Sequence, residues 1–155
     1  MKKLACIIIP LLTALLCINA KSDMKGNGDW SAFTETSLHK WFYDNKRLQS
    51  SGDVIRVWTK SVAKGQSSIN EKVRLLIKFG GRTRGYEKYC CTINLFEIDC
   101  RNNKQRLVMA QDYDSNDCIL EPAALPDNTF GLIPAGSVIE SLSNIICSHY
   151  SMVKK

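Results

Sequence analysis

The chain has 155 residues, of which 21 are basic and 15 acidic, for a formal net charge of +6. That length suits one domain, and a charge of this size is ordinary for solubility rather than the mark of a polyanion binder. No basic helix or aromatic RNA-binding motif is present, so nucleic acid is not an expected partner. The seven cysteines contain no CxxC pair, and the two histidines, His39 and His149, lie far apart, which excludes the usual zinc spacings.

The N-terminus begins Met1-Lys2-Lys3, followed by an apolar run from Leu4 to Leu16 and a small-residue end at Ala20. This is the layout of a secretory signal peptide over residues 1–20. The run is too short for a comfortable membrane span of about 20 residues, and Pro10 interrupts it. The expected mature chain starts at Lys21 and has no stable membrane span. Lipidation at Cys17 is the alternative, and the bulky Leu16 before it argues against that. Without residues 1–20 the balance is 19 basic against 15 acidic residues, a net charge of +4.

Residues 21–29 are polar and glycine-rich and read as a flexible lead-in to a single domain over 30–150. Trp30 and Phe33 begin the first ordered segment. Leu38 to Tyr43 reads as an aromatic strand closed by the turn Asp44-Asn45. Val54 to Lys60 is the clearest strand, β-branched and bounded by turn residues. Its Arg56 shares a face with Val54 and Trp58, so that face is expected to be only partly buried. Ser68-Ile69-Asn70-Glu71 matches a capping box, and Val73, Leu76 and Ile77 continue a helical stripe that Gly80-Gly81 ends. A helix over about 69–79 is predicted, inserted between strands.

Tyr89 to Cys100 reads as a long strand, apolar on both faces. Arg101 to Lys104 forms a hairpin turn, and Arg106 to Tyr113 returns as its partner. Cys118 to Leu120 reads as a further short strand. Ile133-Pro134-Ala135-Gly136 leads into a second capping box, Ser137 with Glu140. Val138, Ile139, Leu142, Ile145 and Ile146 then form the apolar side of a final helix over about 138–147. The tail from Ser148 is polar, and residues 151–155 are expected to fray. The fold class is therefore α+β: an antiparallel sheet of five or six strands, a C-terminal helix packed on one face and an inserted helix.

Phe42-Tyr43-Asp44, the strand Val54 to Trp58, Glu97-Ile98-Asp99-Cys100, Tyr113-Asp114, Ile133-Pro134-Ala135-Gly136-Ser137 and Cys147 occur in one order across most of the mature chain. In that order and spacing the chain resembles the bacterial surface-adhesin E family of small exported proteins. The resemblance implies an antiparallel sheet with a C-terminal helix on one face, and a disulfide from the strand cysteine to the helix cysteine, here Cys100 to Cys147. Such a bridge would contribute about 3–5 kcal/mol. At about 100° per residue, Cys147 lies far around the helix from the centre of the apolar stripe, so the bond is easier if the helix ends or unwinds there. Cys90, Cys91 and Cys118 are additional to the family pattern.

Five cysteines in an exported chain leave at least one outside intramolecular pairs. Cys90 with Cys118 is the candidate second bridge, with Cys91 as the free thiol, and Cys91 with Cys118 is the close alternative. The vicinal pair Cys90-Cys91 lies on a strand and lacks the helix dipole that activates redox thiols. Asp112-Tyr113-Asp114-Ser115-Asn116 begins like a calcium loop, but Asp117 and Ala123 stand where glycine and glutamate are required. Gly136-Ser137 opens a helix and is no nucleophile elbow. Lys72, Arg74, Lys78, Arg82, Arg84 and Lys88 form a basic stretch opposed only by Glu71 and Glu87. It is a candidate anion-binding surface, weighed against an ordinary solvated helix face.

No catalytic grouping and no cofactor or metal requirement emerges. The reading is a non-enzymatic exported binding or adhesion module of the periplasm or outer cell surface. Extracellular or envelope proteins or anionic glycans are its expected partners. A periplasmic structural or assembly protein without a host partner is the alternative.

Overall fold

The computed structural model describes residues 28–120 and 129–153, with side chains described to Ser148. The expected signal segment 1–20, Cys17, most of the lead-in and residues 154–155 lie outside these residues. Gly28 and Asp29, the last two residues of the expected lead-in, are already packed. A Cβ at Gly28 would stand 2.7 Å from Asp44 Oδ2, and Asp29 O accepts the Asn45 amide at 3.1 Å.

Seven strands form one antiparallel sheet. They are β1 (Trp30–Glu35), β2 (His39–Asp44), β3 (Gln49–Ser51), β4 (Val54–Ala63), β5 (Tyr89–Asp99), β6 (Lys104–Asp114) and β7 (Gly131–Leu132). The order is β1-β2-β4-β5-β6-β7. Strands β2 and β3 share one edge of β4: β2 pairs with residues 59–63 and β3 with residues 54–56. The count exceeds the sequence expectation because β3 and β7 are three and two residues long, below what alternation can reveal. Conversely, Cys118 to Leu120 makes only the single bridge Tyr113–Ile119.

Helix α1 (Gln66–Lys78) joins β4 to β5, and helix α2 (Val138–Val153) follows β7. Both cover the same face of the sheet. Ile55 and Val57 of β4, Phe96 and Ile98 of β5, and Leu142 and Ile146 of α2 make the larger core. Leu76 of α1 packs with Tyr86, Tyr89 and Leu120, over Ala63 at the far end of that face. Alternation along the strands sends the next residues to the opposite face. There Cys91, Ile93 and Tyr113 form a third cluster with Trp30, Trp58 and Val62.

The two capping boxes behave differently. Ser137 caps α2: its Oγ accepts the Glu140 amide at 3.1 Å, while Glu140 Oε2 accepts the Gly136 amide at 2.7 Å. Ser68 does not cap α1. The helix starts at Gln66 with Gly65 at the N-cap position and no side-chain cap. The Ser68 hydroxyl instead donates to Leu38 O and accepts the Lys64 amide at 3.1 Å, which ties the first turn to β2. Glu71 pairs with Arg74. A tertiary partner captured Ser68, and a neighbour in the same helix captured Glu71. Helix α2 also runs past the expected end at Cys147, to Val153.

The β5–β6 hairpin forms at the expected turn. Asp99 Oδ1 accepts the amides of Arg101 at 3.1 Å and Asn102 at 3.0 Å, and Asn103 takes a left-handed φ of 51°. This local Asx geometry fixes Asp99 opposite Lys104, and hence Glu97 opposite Arg106.

Candidate functional site

The disulfide joins Cys100 to Cys147 with a Cα separation of 5.6 Å. Cys100 stands one residue beyond β5, at the turn, where its amide donates to Asp53 O at 2.9 Å. Both cysteines pack at the margin of the larger core rather than in it. That position resolves the geometric objection. A cysteine off the stripe centre meets a partner off the strand end, and the helix continues through Cys147 without unwinding.

Cys90, Cys91 and Cys118 are thiols. The second bridge considered, Cys90–Cys118, does not form, and neither does Cys91–Cys118. The register gives the reason. Cys91 pairs with Tyr113 of β6, and Tyr113 in turn bridges Ile119. Strand β6 therefore stands between Cys118 and both β5 cysteines. Two strand spacings of about 4.8 Å each exceed the roughly 7 Å Cα limit of a disulfide. Cys91 is 1% exposed, packed with Ile93 and Tyr113, so its sulfur is inaccessible to a second chain.

The basic stretch divides into two parts. Lys72 points inward: its Nζ lies 2.9 and 2.7 Å from the two carboxylate oxygens of Asp112. Arg74 is paired with Glu71, and Lys78 stacks on the Phe79 ring at 5.4 Å. Arg82, Arg84 and Lys88 are exposed in the segment between α1 and β5. Lys72 thus belongs to the core rather than to an anion-binding surface, while the remaining five cations lie at or near the surface.

Asp112 is the centre of a buried polar cluster beneath α1. It also accepts the hydroxyls of Tyr86 at 2.8 Å and Thr92 at 2.6 Å. Thr92 has one proton and gives it to Asp112, so Tyr89 is the donor in its 2.7 Å contact with Thr92. Burial, reinforced by the Asp112 charge, holds the Tyr89 phenol well above its usual pKa. The calcium-like run is likewise consumed locally: Asp114 Oδ1 accepts the amides of Asn116 and Cys118, each at 2.8 Å.

A row of polar side chains crosses four strands on the face opposite the helices. Gln49 of β3 pairs with Arg56 of β4, Arg56 with Glu97 of β5, and Glu97 with Arg106 of β6. Arg56 Nε and Nη2 donate to Glu97 Oε1 at 3.0 and 2.6 Å, and Arg106 Nε donates to Oε2 at 2.7 Å. The row floors an open groove of about 490 Å³ walled by Phe130. Burial by itself would raise the Glu97 pKa. The hydrogen bonds and charges of Arg56 and Arg106 outweigh it and hold the carboxyl below its usual range.

A depressed folded pKa contributes stability that is fully present above the unfolded value near 4.3 and disappears as pH falls through the folded one. Glu97→Gln is therefore expected to flatten the acid limb of the stability curve below about pH 4.5. Urea midpoints between pH 2.5 and 7 check this, and an unchanged acid limb contradicts the pairing.

The sequence places Arg56 on a partly buried strand face and Glu97 within the motif that ends at Cys100. It missed Gln49, Arg106 and Phe130 as its companions. The hairpin turn could have supplied Arg106, because the turn sets the Glu97–Arg106 register.

A family model described as surface-adhesin protein E matches residues 30–148. The chain belongs to the surface-adhesin protein E family. The matched span runs from β1 through Cys147 and includes both halves of the disulfide. No curated protein and no solved structure matches the chain. Among the described residues, no group of three or more His, Cys, Asp or Glu is placed to hold a metal ion, and no helix is long and apolar enough to cross a membrane. Family membership points to a surface adhesin.

Proposed function

We propose that this member of the surface-adhesin E family is an exported, non-enzymatic binding module. Its partners are extracellular or envelope proteins or anionic glycans. The observation that supports this reading is the match of the disulfide-stapled fold to the adhesin family over residues 30–148. The surface offered for binding is the segment after α1. Arg84 and Lys88 are exposed there, and at the end of α1 just before it Ile77 and Phe79 are 67% and 74% exposed. Exposed apolar side chains and exposed cations in one stretch of chain suit a partner carrying negative charge.

The test is surface plasmon resonance of the purified protein over immobilised heparin and a panel of extracellular-matrix proteins. Saturable binding is expected to at least one of them. It should weaken with salt, and Arg84→Glu with Lys88→Glu should lower affinity by about tenfold or more. Neither side chain is in the core, so the fold should survive the substitution. Absence of saturable binding to every surface overturns the proposal.

A further inference from the structure

Among the described residues, the groove over Arg56, Glu97 and Arg106 holds more positive charge than a structural ion pair needs. One guanidinium balances the Glu97 carboxylate, yet two are present. Glu97 is 7% exposed, whereas the Arg56 side chain is 45% exposed. Arg56 spends its Nε and Nη2 edge on a single carboxylate oxygen. The outer edge of its guanidinium, carrying Nη1, therefore faces away from Glu97. The next carboxylate on this face, Asp99, is turned into the hairpin by Asn102 and the amides of residues 101 and 102, so it does not cancel the surplus.

The surroundings add two further kinds of group. Gln49 lies opposite Arg56 on the exposed strand β3 and brings an amide to the groove, and Ser51 brings a hydroxyl. Phe130 stands at the other side, 37% exposed, with the Arg106 guanidinium 4.7 Å from its ring centroid. A planar cationic fork, an amide and hydroxyl, and an aromatic wall are together complementary to a ring that bears hydroxyls and one carboxylate. We infer that this groove binds the acidic sugar unit of a glycan, a uronic or sialic acid. Arg56 takes the carboxylate, Gln49 and Ser51 the hydroxyls, and Phe130 the apolar face of the ring. This deepens the binding reading above and rests on it, but it uses the opposite end of the domain from Arg84 and Lys88.

The experiment is saturation-transfer NMR and titration of the full protein with free N-acetylneuraminic acid and glucuronic acid. Glucose and inorganic sulfate serve as controls. Weak, saturable binding of at least one acidic sugar is expected, with no response to glucose. Arg56→Gln leaves Glu97 held by Arg106 and should weaken binding by about tenfold or more, the loss of a charge-assisted hydrogen-bonded contact. Gln49→Ala and Phe130→Ala, both at exposed positions, should weaken it several-fold, and they decide the matter if Arg56→Gln fails to fold. No binding of either acidic sugar, binding unchanged in these variants, or competition by sulfate at equal concentration overturns the inference. Heparin or matrix binding that persists while both sugars fail would remove this groove and leave the broader function intact.

Discussion

Replacing Cys147 with serine, or reducing the Cys100–Cys147 bond, is expected to lower the unfolding free energy by about 4 kcal/mol, the chain-entropy value for a loop of this size. The bond closes 47 residues of sequence, including β6, β7 and the whole lead-in to α2. For a domain of this length that corresponds to a fall in melting temperature of roughly 15 °C. The effect should be large because the bridge is the covalent tie between α2 and the end of β5. Its attachment then depends on apolar packing, with Leu142 and Ile146 in the core and Ile139 and Ile145 against it. Thermal melts with and without reductant, compared with the Cys147→Ser variant, check this. A variant that melts with the wild type would show that the stripe suffices.

Asp112→Ala is expected to cost about 3–5 kcal/mol, because it strands a half-buried ammonium and two buried hydroxyls at once. Lys72, Tyr86 and Thr92 all converge on this carboxylate, which is 3% exposed. The cluster is what secures α1 to the sheet, since only Ser68 and Leu76 of that helix are fully buried. Combining Lys72→Met with Asp112→Ala should cost less than Asp112→Ala alone, because the uncompensated charge is removed. Urea denaturation of the two single variants and the double variant measures the coupling. Additive losses would show that Lys72 and Asp112 do not act as a pair.

Much of this architecture is legible from short-range pattern. The strand Val54 to Lys60, the hairpin around Asn102 and the capped helix after Gly136 are each specified by residues within a few positions of one another. Their determinants are local: β-branched runs, an Asx turn and a reciprocal Ser–Glu cap. The pairing of Cys100 with Cys147 came through family resemblance, and helical geometry seemed to oppose it. The structure reconciles them by placing Cys100 beyond the strand end.

The failures have a common cause. Ser68 matched a capping box, but Leu38, just before β2, offered its hydroxyl another bond once the helix had docked. Lys72 counted as one of six surface cations until β6 brought Asp112 beneath it. Cys90 and Cys118 are candidate partners in the sequence, but β6 separates them. In each case the deciding partner lies on another element, and no local spacing encodes its position.

By itself, the sequence determined the element types, the hairpin register, the α+β class and the resemblance to an adhesin family, because alternation, helical periodicity and turn chemistry act over a few residues. Only the tertiary structure decided that both helices share one face. It also aligned Gln49, Arg56, Glu97 and Arg106 in a single row. The Arg56–Glu97 step of that row spans a connection of 25 residues through α1. Its register is set by which apolar faces of β4 and β5 must be buried together, and not by any turn between them.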